Sequence, residues 1–232
     1  MADVLTYALE GTTAILKMDD GKANALSEPM IEQMVAALAR AEKEAQAIVL
    51  VGRPERFCAG FDLKVMMSSP DAAKALLRKG ADMLMKLYGT PLPLVIACTG
   101  HALAGGALVL LTGDYRIGTA GAYRIGLNEV QIGMPVPILA MELARARIAP
   151  IKLVKTTLHA HVYDPEEGAK VGYLDEVTSA DQVLARAKEE AGKLGQLSRM
   201  AYGATKTRLR GNTIKYIVDT LDDDMKNIST GV

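Results

Sequence analysis

The feature that most limits what this chain can become is a five-residue apolar run, Leu94-Val-Ile-Ala-Cys98. It stops at Thr99-Gly100 and is followed by a helix that opens on two glycines. A short apolar run bounded by turn residues suits a buried strand. The helix, Ala104-Gly-Gly-Ala-Leu-Val-Leu-Leu111, starts with residues that each cost roughly 1 kcal/mol of helix stability against alanine, so their placement requires a reason. Two readings are open. Without a Cβ, the free N–H groups of the first turn can touch a group carrying negative charge. Alternatively, the glycines allow tight packing of helix on strand. Further on, the strand candidate Tyr115-Arg-Ile117 leads through a Gly-rich turn to Tyr123-Arg-Ile-Gly-Leu-Asn-Glu129, where Glu129 is set among Ile125, Leu127, Val130 and Ile132. A carboxylate in apolar surroundings has its pKa pushed upward and becomes a candidate proton shuttle.

The same pattern occurs upstream. Tyr7–Glu10 and Thr13–Met18 read as a β-hairpin about Gly11-Thr12. Ser27 caps a helix with Pro29 in its first turn and with Met30, Ile31, Met34, Ala37, Leu38 and Ala41 at helical spacing. Ala47–Val51 is a buried strand ending at Gly52, and it feeds a loop over 53–63. A second helix runs from Asp71 to Gly89, so strand, loop and helix recur three times by the glycine helix. Helices are predicted over 141–147, 151–158, from Asp164 to Gly172, over 180–194, and over 198–227 with an interruption at Gly211. The expected fold is α/β, with a core over 1–194 and a helical region over 195–232 that packs on the core or on a neighbouring subunit.

In an α/β sheet of parallel strands, ligands gather at the edge where the strands end. The N–H groups near Gly60-Phe61 and near Gly105 can therefore face one place. Two backbone donors on one oxygen form an oxyanion hole; two ordinary glycine turns are the alternative.

Composition narrows the partners. The 27 basic and 27 acidic residues cancel, which gives no charge signal for nucleic acid or a membrane surface. Two cysteines form no disulfide framework and fit a reducing compartment. No basic leader precedes the first strand and no run is long enough to span a bilayer, so a soluble, cytoplasmic protein is expected.

Phe57-Cys-Ala-Gly-Phe-Asp-Leu63, Thr99-Gly-His-Ala-Leu-Ala-Gly-Gly106, Asp114-Tyr-Arg116 and Gly126-Leu-Asn-Glu129 together resemble the enoyl-CoA hydratase/isomerase (crotonase) superfamily. Lys22-Ala-Asn-Ala-Leu26 resembles its first CoA-contacting loop, and Gly168–Val177 the helix, turn and strand that close its core. The resemblance runs over roughly 4–195, in order and in spacing. It implies a crotonase-like spiral of ββα units with a C-terminal helical trimerisation region, a homotrimer or a dimer of trimers. It also implies an acyl-CoA substrate, with no cofactor apart from the coenzyme A that the substrate carries. The thioester enolate would lie between the N–H groups of Phe61 and Gly105. Lys22, Ala23, Ala25, Ala59, Gly60, Asp62, Leu63 and Asn128 would line the CoA thioester, and Glu129 would move the proton.

Hydratases of this family carry two glutamates, and the first falls at Leu108 here, which cannot move a proton. In this respect the chain resembles the mitochondrial-type 3,2-trans-enoyl-CoA isomerases. A single carboxylate favours a one-base double-bond shift. Hydration, with water held by backbone or by Tyr123, and an acyl-CoA-binding subunit without turnover are the alternatives. Other residues have plainer readings: Cys58 as apolar packing, His101 as a loop hydrogen bond, Asp62 as a tie for loop N–H groups. His159 and His161 make at most half a metal site, with metal expected to be absent. Lys206, Arg208 and Arg210 form a basic stripe, read as a solvated face with CoA phosphate as the other option.

Overall fold

The computed structural model describes residues 3–227; the outer ends of the two predicted regions, 1–2 and 228–232, lie outside the described residues. The apolar runs become strands because both faces of their sheet are covered. A hairpin, β1 (Leu5–Glu10) and β2 (Thr13–Met18), leads through α1 (Glu28–Glu44) to β3 (Ala47–Val51). Strands β5 (Leu94–Cys98), β7 (Tyr115–Thr119) and β9 (Glu176–Thr178) then extend a six-stranded sheet, all parallel beyond the hairpin, in the order β1-β2-β3-β5-β7-β9. Successive side chains point to opposite faces. Ala47, Val49, Val51, Val95, Ala97 and Ile117 meet Val183, Ala187 and Ala191 of α8 (Val183–Leu194) on one side. Ile48, Leu50, Leu94 and Ile96 face the larger core on the other. Burial on both faces explains why the runs are continuously apolar rather than alternating.

A second sheet was not expected. The segments read as loops after β3 and β5 hold strands of their own: β4 (Glu55–Cys58), β6 (Gly100–Leu103) and, after β7, β8 (Ile125–Gly126). They pair in parallel in the order β4-β6-β8. Each is too short and too Gly-rich or charged to show a strand period, so the pairing is tertiary rather than local. From β3 onward, each turn of the fold is thus a strand in the large sheet, a strand in the small sheet and a helix. After β4 come α2 (Leu63–Met66) and α3 (Pro70–Gly89); after β6, α4 (Gly105–Thr112); after β8, a 3-10 turn and α5 (Ile138–Arg147). This is the ββα spiral.

The six apolar positions expected on α1 are its buried positions, and the Ser27 side chain accepts from the Met30 N–H. Helix α3 begins one residue earlier than expected, capped by Ser69. Helices α6 (Leu153–Thr157) and α7 (Pro165–Val171) follow α5, with Asp164 capping α7 and Gly172 closing it in the left-handed region. The last helix, α9 (Arg199–Asn227), runs unbroken through Gly211, contrary to expectation. One glycine costs about 1 kcal/mol, and tertiary anchoring outweighs it. Asp114 accepts from Lys206 at 2.5 Å and pairs with Arg210 at 2.7 Å, and both cations also donate to core carbonyls, Lys206 to Leu92 and Arg210 to Tyr88 and Thr112. The stripe expected to face solvent is therefore two-thirds wrong: Lys206 and Arg210 are buried, and only Arg208 is exposed. Burial lowers the Lys206 pKa to about 8, opposed by Asp114. Among the described residues, no helix is long and apolar enough to cross a membrane.

Candidate active site

The small sheet positions the candidate residues. Its three parallel strands end side by side, and each is followed within a few residues by one of them: β4 by Phe61, β6 by Gly105, β8 by Glu129. This is the strand-end rule applied to β4, β6 and β8 rather than to the long strands. A hydrogen bond ties two of the exits, and close packing brings the third against them. The Ala104 N–H donates to Gly126 O at 3.0 Å, which links the turn before Gly105 to the arm before Glu129. An ideal Cβ on Gly60 would lie 3.3 Å from the Gly105 nitrogen and 3.1 Å from Leu103 O, and Gly60 has φ +97°, so no larger residue fits there unstrained.

The paired glycines differ in role. A Cβ on Gly106 would sit 2.0 Å from Cys58 O, so this glycine serves tight packing of α4 on β4. Gly105 faces the Phe61 ring, where a Cβ would stand 3.0 Å from Cδ2, and its N–H has no partner among the described residues. Ala104, just before it, holds φ 47° and caps the helix without a side-chain bond. A non-glycine residue held in that region is strained, and such strain gathers at functional sites. The Phe61 N–H likewise has no partner among the described residues. Phe61 bridges Leu26 in parallel through Leu26 N–H to Gly60 O (2.8 Å) and Asp62 N–H to Leu26 O (3.4 Å), which turns its own N–H to the other side.

The loop expected to meet CoA lies against this turn: the Ala59 N–H donates to Ala23 O at 3.1 Å. Asp20 accepts from the N–H groups of Lys22, Asn24 and Ala25. Asn24, missed in the sequence, stitches the loop to the core. Fully buried at φ 52°, it donates to Met18 O, Arg56 O and Phe57 O. An asparagine in a turn-rich loop is a weak signal, since its partners are far away in sequence. Asp62 caps α2 by accepting from the Lys64 N–H at 2.9 Å, in line with its reading as a tie for loop N–H groups, and Leu63 is exposed.

Glu129 is 6 % exposed, and burial raises its pKa from 4.5 to about 7. Its Oε2 and the Oδ1 of Asn128 are buried with no hydrogen-bond partner among the described residues. Of the apolar neighbours expected around it, Ile125 and Leu127 are buried, whereas Val130 and Ile132 point outward because the chain turns into a 3-10 helix there. Tyr173 supports the arm from below: its hydroxyl accepts from the Leu127 N–H at 3.3 Å, and burial raises its pKa. Its position in the segment that closes the core carried the only sequence signal.

Leu108, one turn beyond Gly105, is 4 % exposed and lines an apolar cavity with Phe61, Leu84, Leu139, Leu221 and Met225. Asp224 is the one carboxylate at this cavity among the described residues, and it accepts from the Ile138 N–H at 2.7 Å. Tyr123 is elsewhere, edge-on to His101 and lining a cleft with Lys17 and Glu55, so it is not beside this cavity. His101 accepts from the Arg124 N–H at 3.0 Å, the loop bond expected of it. The Cys58 thiol is fully buried and pushed up to about 12, which removes it as a nucleophile. His161 packs edge-on against Tyr163.

The sequence matches the enoyl-CoA hydratase/isomerase family over residues 9–230. It is 31% identical over 219 residues to the mitochondrial enoyl-CoA delta isomerase 1 of Homo sapiens, covering 92% of this chain and 72% of that protein. The crystal structure of an enoyl-CoA hydratase/isomerase family protein from Pseudomonas syringae has a TM-score of 0.95 at 36% identity, over 98% of this chain and 99% of that one. That of an enoyl-CoA hydratase from Mycobacterium marinum has a TM-score of 0.92 at 35% identity, over 97% and 100%. The similar proteins thus carry both isomerase and hydratase names.

Proposed function

Within the enoyl-CoA hydratase/isomerase family, to which this chain belongs, we propose that it shifts the double bond of a 3-enoyl-CoA to give the 2-enoyl-CoA, with Glu129 as the single acid and base. The observation that carries this reading is Leu108. The position one turn along α4 from Gly105 is apolar and packed, and among the described residues Glu129 has the one buried carboxylate oxygen without a hydrogen-bond partner. Glu129 takes a proton from C2, and the electron pair moves into the thioester to form a dienolate. The N–H groups of Phe61 and Gly105 stabilise its oxygen. Glu129, now neutral, returns the proton to C4, which leaves the double bond between C2 and C3. A pKa near 7 suits a group that must accept and then donate at neutral pH. Lys22, Ala23, Ala25, Ala59, Gly60, Asp62, Leu63 and Asn128 line the CoA arm, and the chemistry draws on no cofactor beyond that CoA. We place this activity in the cytoplasm.

Hydration of a 2-enoyl-CoA is the second reading, and Asp224 is the observation in its favour, since it brings a second carboxylate to the cavity of Leu108. That carboxylate is occupied by the Ile138 N–H, which ranks this reading below the first. The test is product identification from 3-enoyl-CoA and 2-enoyl-CoA with wild type and Glu129→Gln. Isomerisation is expected, falling by roughly 10²–10⁴ in the variant while acyl-CoA still binds. A 3-hydroxyacyl product from wild type, or near-normal isomerisation by Glu129→Gln, overturns the assignment.

A further inference from the structure

We propose that the end of α9 is the end wall of the acyl pocket, so that Met225 and Leu221 set the acyl chain length and Asp224 is the positioning residue that holds the wall shut. The proposal rests on the acyl-CoA reading above. The cavity beside Phe61 and Leu108 has a volume of ≈ 40 Å³, and Leu221, Asp224 and Met225 also line it. That is far below the roughly 300–1,000 Å³ of whole ligand pockets, so the α9 residues stand close to Phe61 and Leu108 and leave room for only a short tail. Met225 also lines a neighbouring cleft with Lys74, Ala75, Arg78, Asp222 and Lys226. One side chain, 7 % exposed, thus stands between the apolar cavity and a solvent-open cleft.

The wall is held by a bond that the local sequence of α5 cannot supply. The residue before α5 is Pro137, which has no side-chain acceptor for the helix's free N–H groups. Asp224 provides one from 86 residues away, accepting from the Ile138 N–H at 2.7 Å, where the helix dipole also favours a negative charge. Pro137 and Leu139 line the same cavity, so this bond joins two of its walls. An Arg78–Asp222 ion pair fixes the neighbouring turn of α9 to α3.

Binding of saturated acyl-CoAs, from butanoyl to hexadecanoyl, is measured by calorimetry for wild type, Met225→Ala, Asp224→Ala and Asp224→Asn, with thermal melts in parallel. Wild type is expected to lose affinity beyond a short chain. Met225→Ala joins cavity and cleft, and shifts the preference between hexadecanoyl-CoA and butanoyl-CoA by at least tenfold toward the longer chain, as roughly 10-fold or more follows from added room for methylenes. Asp224→Ala shifts it in the same direction, and Asp224→Asn, whose amide oxygen can still accept from Ile138, restores the wild-type profile. A chain-length profile unchanged in Met225→Ala and Asp224→Ala overturns the wall while leaving the acyl-CoA reading intact. No binding of any acyl-CoA by folded wild type overturns that reading itself. If Asp224→Ala does not fold, Met225→Ala and Leu221→Ala decide the outcome.

Discussion

Glu129 carries opposite consequences for activity and stability. Its pKa, raised by burial to about 7, means that the free enzyme holds it protonated below that pH and charged above. Proton abstraction from C2 needs the charged form, so kcat/KM for isomerisation is expected to rise with pH along a limb centred near 7. A limb near pH 4.5, the ordinary glutamate range, would show that the buried carboxylate is not the base. Stability runs the other way. Between 4.5 and about 7 the folded chain binds a proton at this site that the unfolded chain has released, so stability falls as pH rises through that window and is flat above it. The full cost of the shift is on the order of 3 kcal/mol. Glu129→Gln removes it, so the variant is expected to melt higher than wild type at pH 8 and to lose that advantage at pH 4. Equal melting differences at both pH values would contradict a raised pKa.

At the level of elements, the join between α9 and the core is held by one acid between two buried cations. Asp114 accepts from Lys206 and from the Leu94 N–H and pairs with Arg210. Asp114→Ala leaves both cations without a counter-charge, an arrangement that typically costs about 3–5 kcal/mol, read as a lower urea midpoint. A loss under about 1 kcal/mol would mean that the carbonyls of Leu92, Tyr88 and Thr112 suffice. This join also marks where the sequence stops being legible. The long strands, α1 and α7 were readable because the apolar runs and the apolar spacing of α1 are local and the helix caps, Ser27 for α1 and Asp164 for α7, are adjacent. Glu129 and Gly105 stood out as candidates because a carboxylate in an apolar stretch and paired glycines at a helix start are costly choices. The small sheet was not, since strands of four, four and two residues have too little pattern of their own and form only by pairing. Lys206 and Arg210 look like surface charge until α9 folds onto Asp114, and Asn24 looks like any turn residue until Met18, Arg56 and Phe57 converge on it. In each of these cases the partner is remote in sequence.

At the scale of the whole molecule, the chain leaves apolar surface uncovered beside its site. Ile151, Val154 and Leu158 are 82%, 54% and 63% exposed around α6, and Val130 and Ile132 are also exposed on the 3-10 turn next to Glu129. Gln131 donates to Ala160 O at 2.9 Å, which ties the 3-10 turn to the segment after α6. Isolated exposed apolar residues are ordinary, whereas a contiguous group of them marks a contact surface. We propose that copies of this chain cover this face, as a trimer or a pair of trimers. Sedimentation at micromolar concentration is expected to show a species well above 24.7 kDa, and Ile151→Asp with Val154→Lys to shift it toward that mass. Because Val130 adjoins Glu129, docking of a second copy would also exclude water from the flank of the carboxylate, so the double variant should lose turnover together with assembly and regain neither on concentration. A wild-type chain sedimenting only at 24.7 kDa, or a double variant that stays assembled, would leave this face without a role in assembly.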